Sequence, residues 1–239
     1  MLQTANPLSL NIKKQPDDVT CGPTCLQAVY NYFGDNIALS DVISEVKQLR
    51  SGGTLGVLLG NHALARGYKV TIYTYNLSTF DPSWFDGKTN ISKKLEQQLI
   101  VKPKDKRLKT ASKAYLKFLS NGGEIKFHDL TPGLLKSILN TGVPILTGLS
   151  ATYLYDSPRE RGDFEIVFDD LGGKPSGHFV VINGFDQKEA FVADPLESNP
   201  ISEKQYYKVS FHKLINSIML GVMTYDANLL IIHPKNIYA

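Results

Sequence analysis

The sequence predicts an α+β fold, and three observations carry that prediction. Helix signals dominate the first half of the chain, from Gly22 to Leu119. Short strand-like runs dominate the second half, from Val143 to His233. The composition, 42% hydrophobic and 21% charged over 239 residues, is that of an ordinary globular chain able to bury a sizeable core. We read residues 1–239 as one domain with a basic helical insertion at about residues 86–121.

The elements follow in order. Leu8 to Lys14 alternates apolar and polar residues, which predicts a short strand. Gly22 and Pro23 open a helix to about Phe33, with Leu26, Val29, Tyr30 and Phe33 as its core stripe and Gly34 as its stop. A second helix follows Ser40, with Val42, Ile43, Val46 and Leu49 as its stripe, and ends at Gly52-Gly53. A third covers about Thr54 to Arg66, and Tyr68 to Tyr75 alternates as a strand. From Lys88 to Lys117, ten Lys and Arg residues stand against two acids, Glu96 and Asp105. Two helices fit there, Ile91–Ile100 and Arg107–Leu119, separated at Pro103. Such a hairpin is either a solvated face or a surface that attracts an acidic peptide or nucleic acid.

Beyond it, Thr131 caps a helix that has Pro132 at its first position and Gly142 at its end. Val143–Leu149 is a strand. Tyr155 to Ser176 is a polar loop, long enough to be functional; it is expected to fold over a cleft as a lid hinged at Gly172-Gly173. It holds Asp156, Glu160, Asp163, Glu165, Asp169 and Asp170 beside Arg159, Arg161 and Lys174. His178–Phe185 and Glu189–Asp194 form a hairpin across Asp186-Gln187-Lys188. A helix near Phe211–Ile218 and a closing strand, Leu229–His233, complete the chain.

Several function classes drop out. A net charge of +3 is far from the footprint of a dedicated nucleic-acid binder, and no nucleic-acid partner is expected. No apolar run approaches the roughly 18 residues of a membrane span. Met1 to Pro7 lacks a basic segment followed by an apolar one, so no signal peptide is read. These points predict a soluble cytoplasmic protein. Cys21 and Cys25 are the only cysteines, which excludes a disulfide framework.

Chemistry concentrates around Cys21. It stands where a loop turns into a helix, in Gln15-Pro16-Asp17-Asp18-Val19-Thr20-Cys21-Gly22-Pro23-Thr24-Cys25-Leu26. Unpaired N–H groups and the macrodipole stabilise an anion at such a position, and thiols so placed can have a depressed pKa. The thiolate is a nucleophile. Gln15, six positions earlier, can offer a side-chain N–H to an oxyanion, with the Cys21 N–H as second donor. His178 opens a strand directly after a Gly-rich loop and is the candidate base. Asp194, at the end of the paired strand, is within reach to orient its ring. The reading is therefore nucleophile Cys21, base His178, orienter Asp194 and oxyanion donor Gln15.

The pieces Gln-x5-Cys-Gly-Pro-x-Cys-Leu, Gly-x-Pro-Ile-Leu, Gly-His-Phe-Val-Val-Ile-x-Gly-Phe-Asp and Val-x-Asp-Pro together resemble the bacteriocin-processing peptidases, papain-like enzymes that remove leader peptides after double-glycine sites. The family's glutamine, cysteine, histidine and aspartate fall on Gln15, Cys21, His178 and Asp194 in the same order. The resemblance covers the first forty or so residues and Thr141 to about Pro195. It implies a papain-like fold, with the cysteine at a helix start packed on an antiparallel sheet, and a peptide or protein substrate. It implies no metal or organic cofactor. In that family the peptidase is usually the N-terminal domain of an export transporter; this sequence departs in showing no transporter segment and in carrying the basic insertion between the cysteine and histidine halves. The pattern is also similar to phytochelatin synthase-like enzymes, which transfer an acyl group to an amine.

The remaining candidates read as structural. Cys25, one helical turn after Cys21, is a core residue. The spacing of the two cysteines suits neither a zinc pair nor a redox motif. His62 is structural, and His128, His212 and His233 are surface or strand-end residues. Asp186 is a rival orienter, although a turn residue is the simpler reading. The expected activity is a thiol hydrolase acting on a peptide or isopeptide amide. Its rivals are an amine-accepting acyltransferase of transglutaminase type and a non-catalytic peptide-binding module.

Overall fold

The computed structural model describes residues 7–49, 52–162 and 167–235. Its centre is a seven-stranded sheet. In chain order the strands are β1 (Tyr68–Thr74), β2 (Glu124–Lys126), β3 (Ile145–Ser150), β6 (Gly177–Phe185), β7 (Glu189–Ala193), β8 (Tyr206–Ser210) and β9 (Asn228–Pro234); β4 (Glu160–Arg161) and β5 (Val167–Phe168) form a separate small hairpin. The spatial order is β2-β1-β9-β3-β6-β7-β8, antiparallel throughout except for the β1–β2 pair.

Helices cover both faces of the sheet. Phe179 and Val181 of β6, Leu146 of β3 and Leu230 of β9 face a core shared with α1 (Cys21–Tyr32) and α3 (Gly56–Ala65). Their neighbours Val180, Ile182, Ile145 and Leu229 face a second core, built with α6 (Pro132–Leu139) and α8 (Phe211–Leu220). A strand buried on both faces cannot alternate polar with apolar. That explains the continuous runs Phe179–Ile182 and Leu229–Ile232. It also places β9 in the middle of the sheet, between β1 and β3, although it is last in the chain.

The helical hairpin consists of α4 (Ile91–Val101) and α5 (Lys106–Ser120). Asn90 and Asp105 cap the two N-termini by accepting from Lys93 N and Leu108 N. The hairpin is anchored: Leu95 and Phe118 are fully buried in the same core as α1 and α3. Truncating a ring such as that of Phe118 to Ala costs about 3–5 kcal/mol.

Three expectations are corrected. Leu8 to Lys14 is not a strand. Leu10 and Ile12 are buried, but their segment is held by scattered bonds, Leu8 N to the Asn183 carbonyl and Ile12 N to the Tyr206 hydroxyl, rather than by a ladder. The second helix, α2 (Leu39–Glu45), stops before Val46, which turns extended to bury its side chain. The Tyr155–Ser176 loop has structure of its own in β4 and β5, and Asp163 and Glu165 lie outside the described residues. Its Gly172-Gly173 pair forms a packed turn. The Gly172 and Gly173 N–H groups donate to Asp169, and a Cβ on Gly173 would strike the Asp169 carbonyl.

Candidate active site

Cys21 is the first residue of α1 and follows a turn built by Asp17 and Thr20. Val19 N donates to Asp17 Oδ1, and the Thr20 hydroxyl donates to the Asp17 carbonyl. The first turn carries no acidic side chain, so nothing competes with a thiolate for the positive helix end. The N–H groups of Cys21 and Gly22 have no acceptor among the described residues, and Pro23 has no N–H to satisfy. Gly22 permits close docking of this helix start. A Cβ there would lie 2.8 Å from Thr54 and 3.2 Å from both Leu59 and Phe179. The nucleophile candidate thus rests against β6 beside His178.

His178 and Asp194 meet through a diagonal of the β6–β7 pair. Val181 faces Ala193 in the register, so the next residue, Asp194, approaches His178 two positions along. His178 Nε2 lies 2.8 Å from Asp194 Oδ1, in a pair that is 7% and 0% exposed at its side chains. Burial alone would lower the pKa of His178. The Asp194 charge and hydrogen bond outweigh it, and the hydrogen bond and charge of Cys21 add to them, so the value is pushed up to about 10. With Nε2 engaged by Asp194, Nδ1 is the ring atom left for Cys21.

Asp194 has more partners than the sequence suggests. Tyr155 and Tyr207 both donate their hydroxyls to Oδ2, at 2.7 and 2.8 Å, and Leu196 N donates to Oδ1 at 2.8 Å. Burial works to raise the pKa of this carboxyl. The imidazolium of His178, its hydrogen bond, the Tyr155 hydroxyl and the Leu196 N–H together hold it below the usual carboxylate range. Burial and the Asp194 charge in turn push both tyrosines far up, so they remain donors. The period-2 spacing of Tyr207 and Val209 on β8 is a signal that could have found Tyr207, which pairs with Val192. Tyr155 has no local signal; it reaches the site from the end of the short helix α7 (Ala151–Leu154).

Gln15 is nine-tenths buried, with its backbone N–H bonded to the Pro195 carbonyl next to Asp194. One N–H of its side-chain amide is given to the Asp17 carbonyl, which leaves the second available. Cys25 is fully buried and donates its thiol to the Phe179 carbonyl; burial, Cys21 and Asp194 raise its pKa. Asp186 lies at the far end of β6, about 26 Å along the strand from His178 at the usual rise per residue. There it accepts from Lys188 N, Glu189 N and the Lys208 ammonium, a turn residue held at a pKa of about 2. His62 bridges the Tyr30 hydroxyl and Glu45, tying α1, α2 and α3 together. A cleft of about 770 Å³ opens where Pro7 to Leu10 cross the ends of β6, β7 and β8; Tyr207 lines it.

The sequence matches the Peptidase_C39 like family over residues 7–218. The chain belongs to this family. Membership places it among the C39-like cysteine peptidases at family level. No curated protein matches the chain. Among solved structures, a C39-like peptidase from Bacillus anthracis is similar at 14% identity, with 98% of each chain covered and a TM-score of 0.53. That likeness shows the C39-like, papain-like α+β fold. Two further structures align at 14% identity. A double glycine motif protease from an AMS/PCAT transporter in complex with the leader peptide has a TM-score of 0.47, with 98% of each chain covered. The peptidase domain of Streptococcus ComA, a bifunctional ABC transporter involved in a quorum sensing pathway, has a TM-score of 0.44, with 95% of this chain and 99% of that one covered.

Proposed function

We propose that this C39-like chain hydrolyses a peptide or isopeptide amide through an acyl-enzyme on Cys21. The observation that carries the reading is the buried 2.8 Å pair of His178 and Asp194 beside a cysteine at a helix N-terminus. The Cys21 thiolate attacks the amide carbonyl carbon, and the carbonyl π electrons move to oxygen. The Cys21 N–H and the free N–H of Gln15 donate to that oxyanion. As the C–N bond breaks, the His178 imidazolium gives its proton to the departing amine, leaving a thioester on Cys21 and a neutral imidazole. That imidazole then takes a proton from water as the hydroxide oxygen adds to the thioester. Collapse expels the thiolate and releases the carboxylic acid, and His178 is again protonated. Asp194, held by two tyrosines, fixes the ring orientation and favours the imidazolium.

The test is digestion of a proteome-derived peptide mixture, with new termini read by mass spectrometry. Termini produced by the wild-type chain and absent with Cys21→Ala are the expected result. New termini in equal number with both proteins, or with neither, would reject the reading.

A further inference from the structure

We propose that the tip of the basic hairpin, Ile100 to Arg107, is a docking surface for an anionic lipid bilayer. Charge is the first argument. Residues 88–117 carry a net +8 within a chain of net +3, so the remainder is −5. A polyanionic surface is drawn to the hairpin and repelled by the rest of the molecule. No ion pair among the described residues involves a side chain of this segment. Among the described residues its lysines are therefore not neutralised by direct ion pairs.

Apolar exposure selects the kind of polyanion. Every residue from 100 to 107 is exposed, and Arg107, whose guanidinium lies over the Tyr225 ring at 4.9 Å, ties the start of α5 to the body. Ile100 and Val101 are 79% and 76% exposed, although the core contact of α4 is already made by Leu95. Gln98, just before them, donates to the Thr79 carbonyl, which brings the loop carrying exposed Leu77 beside the helix end. Lys102, Lys104 and Lys106 follow immediately in the chain.

Adjacent exposed aliphatic side chains among ammonium groups suit a bilayer interface. The aliphatics enter the acyl boundary while the lysines reach the phosphates of the headgroups. A peptide needs a groove to seat it, and every side chain from 100 to 107 is exposed rather than lining one. A nucleic acid gains nothing from Ile100 and Val101, and residues 100–107 offer no aromatic ring for a base to stack on. Among the described residues no helix is long and apolar enough to cross a membrane, so the contact is peripheral.

The experiment co-sediments the full chain with phosphatidylglycerol-containing vesicles and with pure phosphatidylcholine vesicles. Expected is partitioning onto the anionic vesicles that weakens as salt is raised. I100S/V101S should reduce it about tenfold and K102E/K104E about thirtyfold or more. Circular dichroism and Tm should stay unchanged for both variants, because the altered side chains are exposed. Three results overturn the proposal: no binding to anionic vesicles, equal binding to both vesicle types, or binding that survives either double variant. A short RNA or polyglutamate bound as tightly as the vesicles, and indifferent to I100S/V101S, also overturns it, because the tip would then be a general polyanion surface.

Discussion

The thiol of Cys25 donates to the carbonyl oxygen of Phe179 at 3.2 Å, which ties α1 to the strand residue that follows His178. The bond spends the only proton of the Cys25 thiol, inside a core that excludes water. Cys21, four residues earlier, faces His178 instead. Limited iodoacetamide treatment followed by peptide mapping should therefore modify Cys21 and leave Cys25 intact until the protein unfolds. Modification of Cys25 first would falsify the assignment of the nucleophile.

Neutralising Asp194 should change both rate and pH profile. Asp194→Asn keeps the shape but removes the charge that holds His178 at about 10. Rate losses of about 10²–10⁴ are expected, the upper value matching the handling of the equivalent aspartate in serine proteases. The alkaline limb of kcat/KM is expected near pH 10 for the wild type and should move down toward the ordinary histidine range in Asp194→Asn. Asp186→Asn should leave the rate and the limb where they are.

Tyr155→Phe and Tyr207→Phe each remove one donor from Asp194 Oδ2. A lost hydrogen bond to a buried charge costs about 1.5–3 kcal/mol. The double variant should lose more than the two single ones combined, because only then is Oδ2 left with no donor. Denaturant midpoints of the four proteins test this; strict additivity would mean that the two hydroxyls act independently.

The ion pair also sets a stability window. Asp194 is shifted down, so its contribution is present above the ordinary carboxylate pKa and lost as pH falls through its folded value. His178 is shifted up, so its contribution is full below about 6.5 and lost as pH rises from there through about 10. Asp226 has the opposite sense for a carboxyl: burial pushes it up to about 8, although Gly56 N donates to its Oδ1. It costs the fold nothing below the ordinary carboxylate range, and its penalty grows as pH rises from there to about 8. Asp226→Asn should raise Tm by a few degrees at pH 8 and have little effect near pH 4. Equal shifts at both pH values would show that Asp226 is not buried as a strained acid.

Much of this was legible in the sequence, for reasons that differ by residue. Helix starts and stops were readable because Pro132, Gly34 and Gly142 each have one conformational use, and the two helices of the hairpin fell within a residue or two of their predicted ends. Cys21, His178 and Asp194 stood out because a helix start, a strand start and a strand end are where side chains can converge. The tyrosines around Asp194 did not stand out, since their role depends on long-range packing of β8 and α7 against β7. The segment from Leu8 to Lys14 misled because alternation records which side chains are buried, not whether a ladder partner exists. β2 escaped because it has three residues.

The central claim is a covalent intermediate on Cys21, and intact-protein mass spectrometry on an activated peptidyl ester tests it most directly. Rapid quench of the wild-type chain should show the mass of one acyl group, and peptide mapping should place it on Cys21 and nowhere else. His178→Ala should leave that acyl group in place far longer, because no base remains to activate water. Turnover without any adduct, or an adduct carried by Cys25, would contradict the account.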